Sequence, residues 1–239
     1  MFLVTAIANA PASLLSPILE RGDPLITYER LDGTVWAGEL KHLWVEDQYF
    51  GTINFRLSPL KLVLGRFEAR VRAEGGVGTG EGNIGVGALG QTFRVSDARV
   101  VFDLSAVRNY TMFGIPYQGE VRASIKRFVV SREGCRIARS EVWTDMLNAP
   151  AIEFLGNALP LEGAAACDGA DVALSLTGEN ASGTAQITIK VTPQLSYEFV
   201  AAIDPVEQDL EAQLPLVGFE ARGAQFVYDA YGELKGMGS

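Results

Sequence analysis

Apolar and polar residues alternate with a period of two along most of the chain after residue 25. The clearest examples are residues 51–57, 67–74 and 185–191, in which every second side chain is apolar. This alternation is typical of strands with one dry face and one solvated face. It predicts an antiparallel all-β protein with one or two short helices. The strands form one curved sheet, a two-sheet sandwich or an open barrel, and periodicity does not choose between these arrangements.

Two segments interrupt the alternation and predict short helices. Residues 57–65 contain a proline and predict a turn or a short helix. The Asp-Pro pair at 204–205 is typical of a helix N-cap followed by proline at the first helical position. A helix over 205–213 would bury Leu210 and Leu214 against the sheet.

Six aromatic residues at apolar positions of the strands are the predicted core. Full burial of each would contribute on the order of 2 kcal/mol. They are Trp36, Trp44, Phe55, Phe67, Phe102 and Phe199.

A glycine-rich stretch over 75–90 looks at first sight like a nucleotide-binding loop. No lysine follows it in the position that a phosphate-binding loop requires, and no amphipathic helix opens after it. We therefore interpret it as a flexible hairpin or a glycine-kinked strand pair.

Composition excludes several classes of function. The net charge of −9 and the lack of any basic run argue against a nucleic-acid partner. His42 is the single histidine, so a His/Cys zinc site lacks ligands. We predict no catalytic residues, no metal site and no cofactor. His42 lies between Leu40 and Trp44, and we interpret it as a hydrogen-bonded, partly buried strand residue on their face.

The chain has two cysteines, Cys135 and Cys167, and no CxxC motif. They are either one disulfide in an oxidising compartment or two buried free thiols. The residues alone leave both alternatives open.

The chain divides at about residue 20. Residues 1–20 form an apolar leader, with no charge before Glu20. This leader is either the end of a membrane anchor or a short helix packed on the sheet. Residues 21–239 form the β-rich domain, in which a weak internal repeat relates 25–112 to 117–203.

One hexapeptide marks the start of the β-rich region. A turn at Asp32-Gly33 leads into a strand that carries a bulky indole between small residues, and glycine allows a second backbone or a ring to lie close. The hexapeptide consists of Gly33, Thr34, Val35, Trp36, Ala37 and Gly38.

The order of motifs along nearly the whole chain resembles protein N of the bacterial type II secretion system. The hexapeptide is the most specific of these motifs. The others are the leader ending in Pro11-Ala12, the strand with Phe55, Leu57-Ser58-Pro59-Leu60, the cysteine pair, the Pro205 helix and the closing Tyr231-Gly232-Glu233-Leu234.

This resemblance implies a periplasmic β-rich domain held at the inner membrane by an N-terminal helix. It implies an accessory, non-enzymatic role through contact with other secretion-system proteins, and a periplasmic location favours the disulfide between Cys135 and Cys167. We expect a contact surface at the sheet edges or the glycine-rich hairpin. The alternative function is a periplasmic protein that binds or transfers a lipid or another apolar ligand. A third interpretation, an enzyme, is not favoured, because Asp and Glu are scattered at turns and His42 is the only histidine base.

Overall fold

The structure of the protein is a computed structural model that describes residues 9–16, 26–45, 47–87, 90–106, 111–112, 115–116, 118–206 and 208–233. Seventeen strands lie in this part of the chain. They are β1 (Ile26–Thr27), β2 (Arg30–Gly33), β3 (Ala37–Val45), β4 (Gln48–Leu57), β5 (Phe67–Glu74), β6 (Gly78–Val86), β7 (Thr92–Asp103), β8 (Thr111–Met112), β9 (Ile115–Pro116), β10 (Glu120–Ser131), β11 (Gly134–Thr144), β12 (Leu161–Asp168), β13 (Asp171–Asn180), β14 (Gly183–Val191), β15 (Ser196–Pro205), β16 (Glu220–Arg222) and β17 (Gln225–Glu233).

Fifteen of the strands form one open antiparallel sheet. Nearly every strand pairs with its neighbour in the chain, in the order β1-β3-β4-β5-β6-β7-β10-β11-β12-β13-β14-β15-β17-β16, with β2 also on β3. Strands β8 and β9 pair only with each other. The predicted all-β antiparallel fold is confirmed, and among the alternatives it is the single curved sheet.

In the described ranges three short α-helices connect strands: α1 (Pro59–Val63), α2 (Asn148–Leu155) and α3 (Gln208–Gln213). Helix α1 confirms the short helix predicted over 57–65. The order of two strands, one helix and three strands occurs twice, in β3–β7 with α1 and in β10–β14 with α2. The sequence duplication of 25–112 in 117–203 stays a prediction.

The predicted start of the last helix was wrong. Strand β15 continues through Pro205, which lies opposite Gly183, and α3 begins only at Gln208. A proline at the end of a strand removes no ladder hydrogen bond that the sheet needs there, so the Asp-Pro pair ends a strand and does not cap a helix. The burial of Leu210 and Leu214 was predicted correctly.

The buried core lies in the C-terminal half of the sheet. There α2, α3 and the turn after α3 cover the apolar side of β12–β15. The core residues are Ala151, Leu159, Leu161, Leu176, Ala185, Ile187, Ala201, Leu210, Leu214 and Phe219.

The predicted aromatic core was wrong for three of its six members. Trp44, Phe67 and Phe102 are each more than a third exposed, whereas Trp36, Phe55 and Phe199 are half-buried. The exposed three lie in β3, β5 and β7, far along the sheet from the helices that cover its C-terminal half. Periodicity identifies the apolar side of a strand, but the elements packed on that side determine burial.

The two halves of the sheet meet at β11 and β12 across a short ladder, which we call the seam. It contains three residue pairs, compared with ten between β10 and β11 and seven between β12 and β13. Beyond these pairs the Ala165 N–H donates to Ser140 Oγ at 3.2 Å, and the Cys135 N–H donates to the Ala170 carbonyl at 2.7 Å. A side-chain hydroxyl thus takes the place of a ladder carbonyl.

A disulfide between Cys135 and Cys167 closes the seam at the end where the ladder is missing. The Cα atoms of the two residues are 5.5 Å apart. Cross-linking residues 32 positions apart restricts the unfolded chain, which stabilises the folded state by about 3 kcal/mol. The bond therefore joins two long interior strands whose ladder contains only three residue pairs.

We predict that the double substitution Cys135→Ser and Cys167→Ser lowers the free energy of unfolding by about 3 kcal/mol. Denaturant titration measures this loss. Hydrogen exchange should accelerate first in residues 135–141 and 164–168, because the seam has few ladder bonds to protect it. Ser140→Ala is the control and should cost only about 1 kcal/mol. Equal acceleration across all strands would contradict a local role for the bond.

Candidate functional site

One side of the sheet is apolar across almost its whole width. A single lateral row of paired residues crosses twelve strands without a charged or polar side chain, apart from the hydroxyl of a tyrosine at its end. We call this side the apolar face. The row consists of Leu40, Ile53, Ala73, Gly80, Val100, Ala123, Val142, Gly163, Leu176, Ile187, Ala201 and Tyr228.

Further rows on the apolar face have the same character. One crosses the N-terminal half of the sheet and another crosses the C-terminal half. The row in the N-terminal half consists of Leu57, Ala69, Ile84, Val95, Phe128 and Ala138. The row in the C-terminal half consists of Leu174, Ile189, Phe199 and Ala230.

The opposite side, which we call the polar face, carries the charges. The row that lies one residue away from the twelve-strand row is polar from β3 to β11. It consists of Glu39, Asn54, Arg72, Glu81, Arg99, Ser124 and Glu141.

Ion pairs join side chains of different strands on the polar face. Arg70 contacts Glu81 at 3.1 Å, and Lys190 contacts Asp168 at 2.6 Å. The Arg122 guanidinium lies 4.6 Å from the centroid of the Trp143 ring. Exposed pairs of this kind are screened by solvent and contribute little to stability. The polar face is accordingly a solvated surface whose charges are largely neutralised locally.

Three cations on this face have carboxylate partners that raise their pKa. Hydrogen bonding to Asp32 raises the pKa of Lys41, the Asp168 side chain raises that of Lys190, and the Asp229 side chain raises that of Arg222. A raised pKa keeps each group charged, and its contribution to stability disappears only as the pH rises through that pKa. These ion pairs therefore persist at neutral pH.

The hexapeptide 33–38 forms the turn between β2 and β3. Gly33 has φ of +97°, and the Thr34 N–H donates to the Ala37 carbonyl at 2.9 Å. A Cβ on Gly38 would lie 2.6 Å from the Phe55 ring and 2.7 Å from the Asp32 carbonyl oxygen. The two glycines are thus required by the turn and by the packing of a phenyl ring on bare backbone.

The same turn fixes the described part of the leader. The Val35 N–H donates to the Ala10 carbonyl at 2.9 Å, and Pro11 forms a bridge with Thr34. Ala12 begins a 3-10 turn, Ala12–Leu15, and is almost fully buried. On the other side the Leu57 N–H donates to the Trp36 carbonyl at 2.7 Å. The hexapeptide therefore joins the leader to the ends of β3 and β4.

The choice between a membrane anchor and a packed helix concerns residues that lie mostly outside the described part of the chain. Only residues 9–16 of the leader are described. Among helices in the described ranges, none combines the length and the apolar character that a membrane crossing needs.

His42 does not have the partly buried position that we predicted. It has φ of +51° at a break in register between Leu40 and Leu43, and its side chain is 53 % exposed. Its imidazole contacts the Glu29 carboxylate. The imidazole also stacks on the ring of Tyr49, which contacts Trp44 as well, so His42 lies on the side of Trp44 but is left exposed at the bulge.

The glycine-rich stretch fits the second of its two interpretations, a glycine-kinked strand pair. Residues 78–86 form β6, an interior strand between β5 and β7, with an irregular register between Glu81 and Asn83. Gly82 lies directly against Ala98, so the missing side chain allows the neighbouring strand to approach. The predicted contact surface at the sheet edges or the glycine-rich hairpin stays a prediction.

A cavity of about 620 Å³ lies on the apolar face in the C-terminal half of the sheet. Its floor contains Ile187, Ile189 and Phe199, and residues of the turn after α3 line its other side, including Val217 and Phe219. Alternation predicted each of these strand residues as apolar. It gave no sign that they would line an open space, because that depends on the position of the helices. Among the described residues, no three His, Cys, Asp or Glu side chains converge as a metal site would require.

Comparison with known proteins gives one match. The family model described as "Type II secretion system (T2SS), protein N" matches residues 24–227. No curated protein and no solved structure shows significant similarity to the chain.

We predict that Gly38→Val destabilises the protein by about 2–3 kcal/mol, because the new side chain would collide with the Phe55 ring and the Asp32 carbonyl. Thermal or denaturant unfolding measures the loss. Ala37→Val is the matched control, since Ala37 is exposed on the opposite side of the same strand. A Gly38→Val protein as stable as the wild type would rule out the close packing described for the turn.

Proposed function

The chain belongs to the type II secretion system protein N family, and from this premise we propose that it is an accessory, non-catalytic component of the secretion machinery. In this proposal it acts on the periplasmic side of the inner membrane, held there through its N-terminus. It works by contact with other proteins of the system during export of folded proteins across the outer membrane. The family match over 24–227 carries the proposal.

The free edge of β17 supports contact as the mode of action. Strand β16 pairs only with residues 225–227, and among the described residues no strand pairs with 228–233 on that side. An unpaired strand edge exposes backbone donors and acceptors that a strand of a partner protein can bind. Tyr231, one of the most exposed apolar residues described, lies on this edge.

We predict that deletion of the gene in its own bacterium causes the exported proteins to accumulate in the periplasm, and that the wild-type gene restores export. Tyr231→Lys with Glu233→Lys should restore it at least about fivefold less well, since lysines on an edge strand oppose pairing with a second strand. Immunoblots of periplasm and medium measure the distribution. Tyr231→Phe is the control and should restore export fully. Normal export by the deletion strain would refute the proposed function.

The apolar face supports a second candidate function, the binding or transfer of a lipid or another apolar ligand. A cavity of about 620 Å³ is large enough for a small apolar ligand, and it is lined mainly by aliphatic and aromatic side chains. Ile189 lies in its floor, and Thr188, the preceding residue, lies on the polar face.

For this second candidate we predict that protein purified from cell envelopes carries lipid, seen in native mass spectra and after organic extraction. Ile189→Glu should abolish the bound lipid, because a carboxylate in an apolar cavity is strongly disfavoured. Thr188→Glu, with its side chain on the polar face, should leave it bound. Lipid-free wild-type protein would eliminate this candidate.

A further inference from the structure

The segment around α1 exposes an unusual concentration of large apolar side chains. Leu60 is 74 % exposed, Val63 85 % and Leu64 71 %, and Leu62 is also exposed. Helix α1 buries none of its own residues. Contiguous exposed apolar residues on a folded protein usually mark a surface that contacts a lipid or another molecule. We call Leu60, Leu62, Val63 and Leu64 the apolar lip.

The lip lies at the same end of the sheet as the leader. Helix α1 follows directly on β4, and Leu57, the last residue of β4, donates to the Trp36 carbonyl of the turn after β2. That turn is the one to which Ala10 and Pro11 are bound. The leader and the lip therefore leave the sheet at neighbouring strand ends.

The described part of the leader adds apolar residues to this end of the molecule. No charged residue occurs in the sequence before Glu20. Leu14, in the described 3-10 turn of the leader, is mostly exposed. At the opposite end of the strands lie α2 and α3, where the exposed apolar residues Ile152, Val206 and Leu216 are separated in sequence.

Two basic residues lie in or beside the lip. Lys61 lies within α1 and pairs with Glu68, and Arg66 follows the lip without an ion pair among the described residues. Long basic side chains beside an apolar surface can reach lipid phosphates while the apolar groups enter the acyl region. This combination fits a membrane interface better than the interior of a protein complex.

We propose that the apolar lip inserts into the surface of the lipid bilayer and, together with the leader, sets the orientation of the sheet on the membrane. The inference rests on the proposed location at the inner membrane. It adds a second contact between the protein and the membrane to the proposed one through the N-terminus. The occupant is lipid, because the apolar turn Ala12–Leu15 and the exposed apolar lip, with Lys61 and Arg66 in or beside it, lie at the same end of the sheet.

Vesicle binding by the full 239-residue chain tests the proposal. The vesicles contain three parts phosphatidylethanolamine and one part phosphatidylglycerol, and flotation measures binding. The combination of Leu60→Ser, Val63→Ser and Leu64→Ser should weaken binding at least about tenfold. The control removes three equally apolar, exposed residues at the other end, Ile152→Ser, Val206→Ser and Leu216→Ser, and should bind like the wild type. Equal binding by all three proteins, or equal loss in both variants, would overturn the proposal.

A fluorescent label distinguishes insertion from proximity. The native cysteines are joined to each other, so a Val63→Cys protein takes one thiol-reactive bimane label. Its emission should shift to the blue on vesicles and be quenched by lipids with a spin label in the acyl chain. The label in Leu216→Cys, 84 % exposed at the opposite end, should show neither effect. An unshifted label at position 63 would refute membrane insertion of the lip, even if the deletion strain fails to export. Normal export by the deletion strain would refute the proposed function, but it would not change the result of the vesicle experiment.

Discussion

The lateral register of the strands determines almost everything else in this structure. Because side chains alternate with a period of two, a shift of one residue in a strand pairing would place Arg72, Glu81 and Arg99 on the side of Ala73, Gly80 and Val100. Charged groups on the apolar face would cost far more than the exposed ion pairs of the polar face contribute. Each strand is therefore aligned by its own sequence and by the strand on either side of it.

An open sheet with one apolar face has to cover that face, and the two halves of this sheet do so differently. In the C-terminal half α2, α3 and the following turn pack on β12–β15 and enclose a core around Leu161 and Leu176. In the N-terminal half Phe67, Phe93 and Phe102 remain partly exposed. The seam lies where the covered half of the sheet meets the uncovered half, and the disulfide between Cys135 and Cys167 links its two strands. Covalent closure compensates there for missing ladder hydrogen bonds.

Local pattern predicted the features that local physics determines. Alternation identified the strands and the apolar side of each, and the helix at Pro59 followed from its proline. The exposure of Trp44 and Phe67 was not predictable from alternation, since it results from the helices packing on the other half of the sheet. The bulge at His42 and the interior position of β6 depend on the neighbouring strand, which a single segment does not reveal. The disulfide needed a cellular location, which came from the family resemblance and not from spacing.

The architecture also gives the molecule two chemically different ends. Antiparallel strands in one sheet bring their connections to the two opposite ends of the strands. At one end lie the turn 33–38, the hydrogen-bonded residues of the leader and α1. At the other end lie α2 and α3. A separate charge difference runs across the width of the sheet, since Lys190, Arg222 and Lys235 are the only basic residues after Asp145. Most of the net negative charge therefore lies in the C-terminal half, whereas the N-terminal half, which carries the leader and α1, is close to neutral.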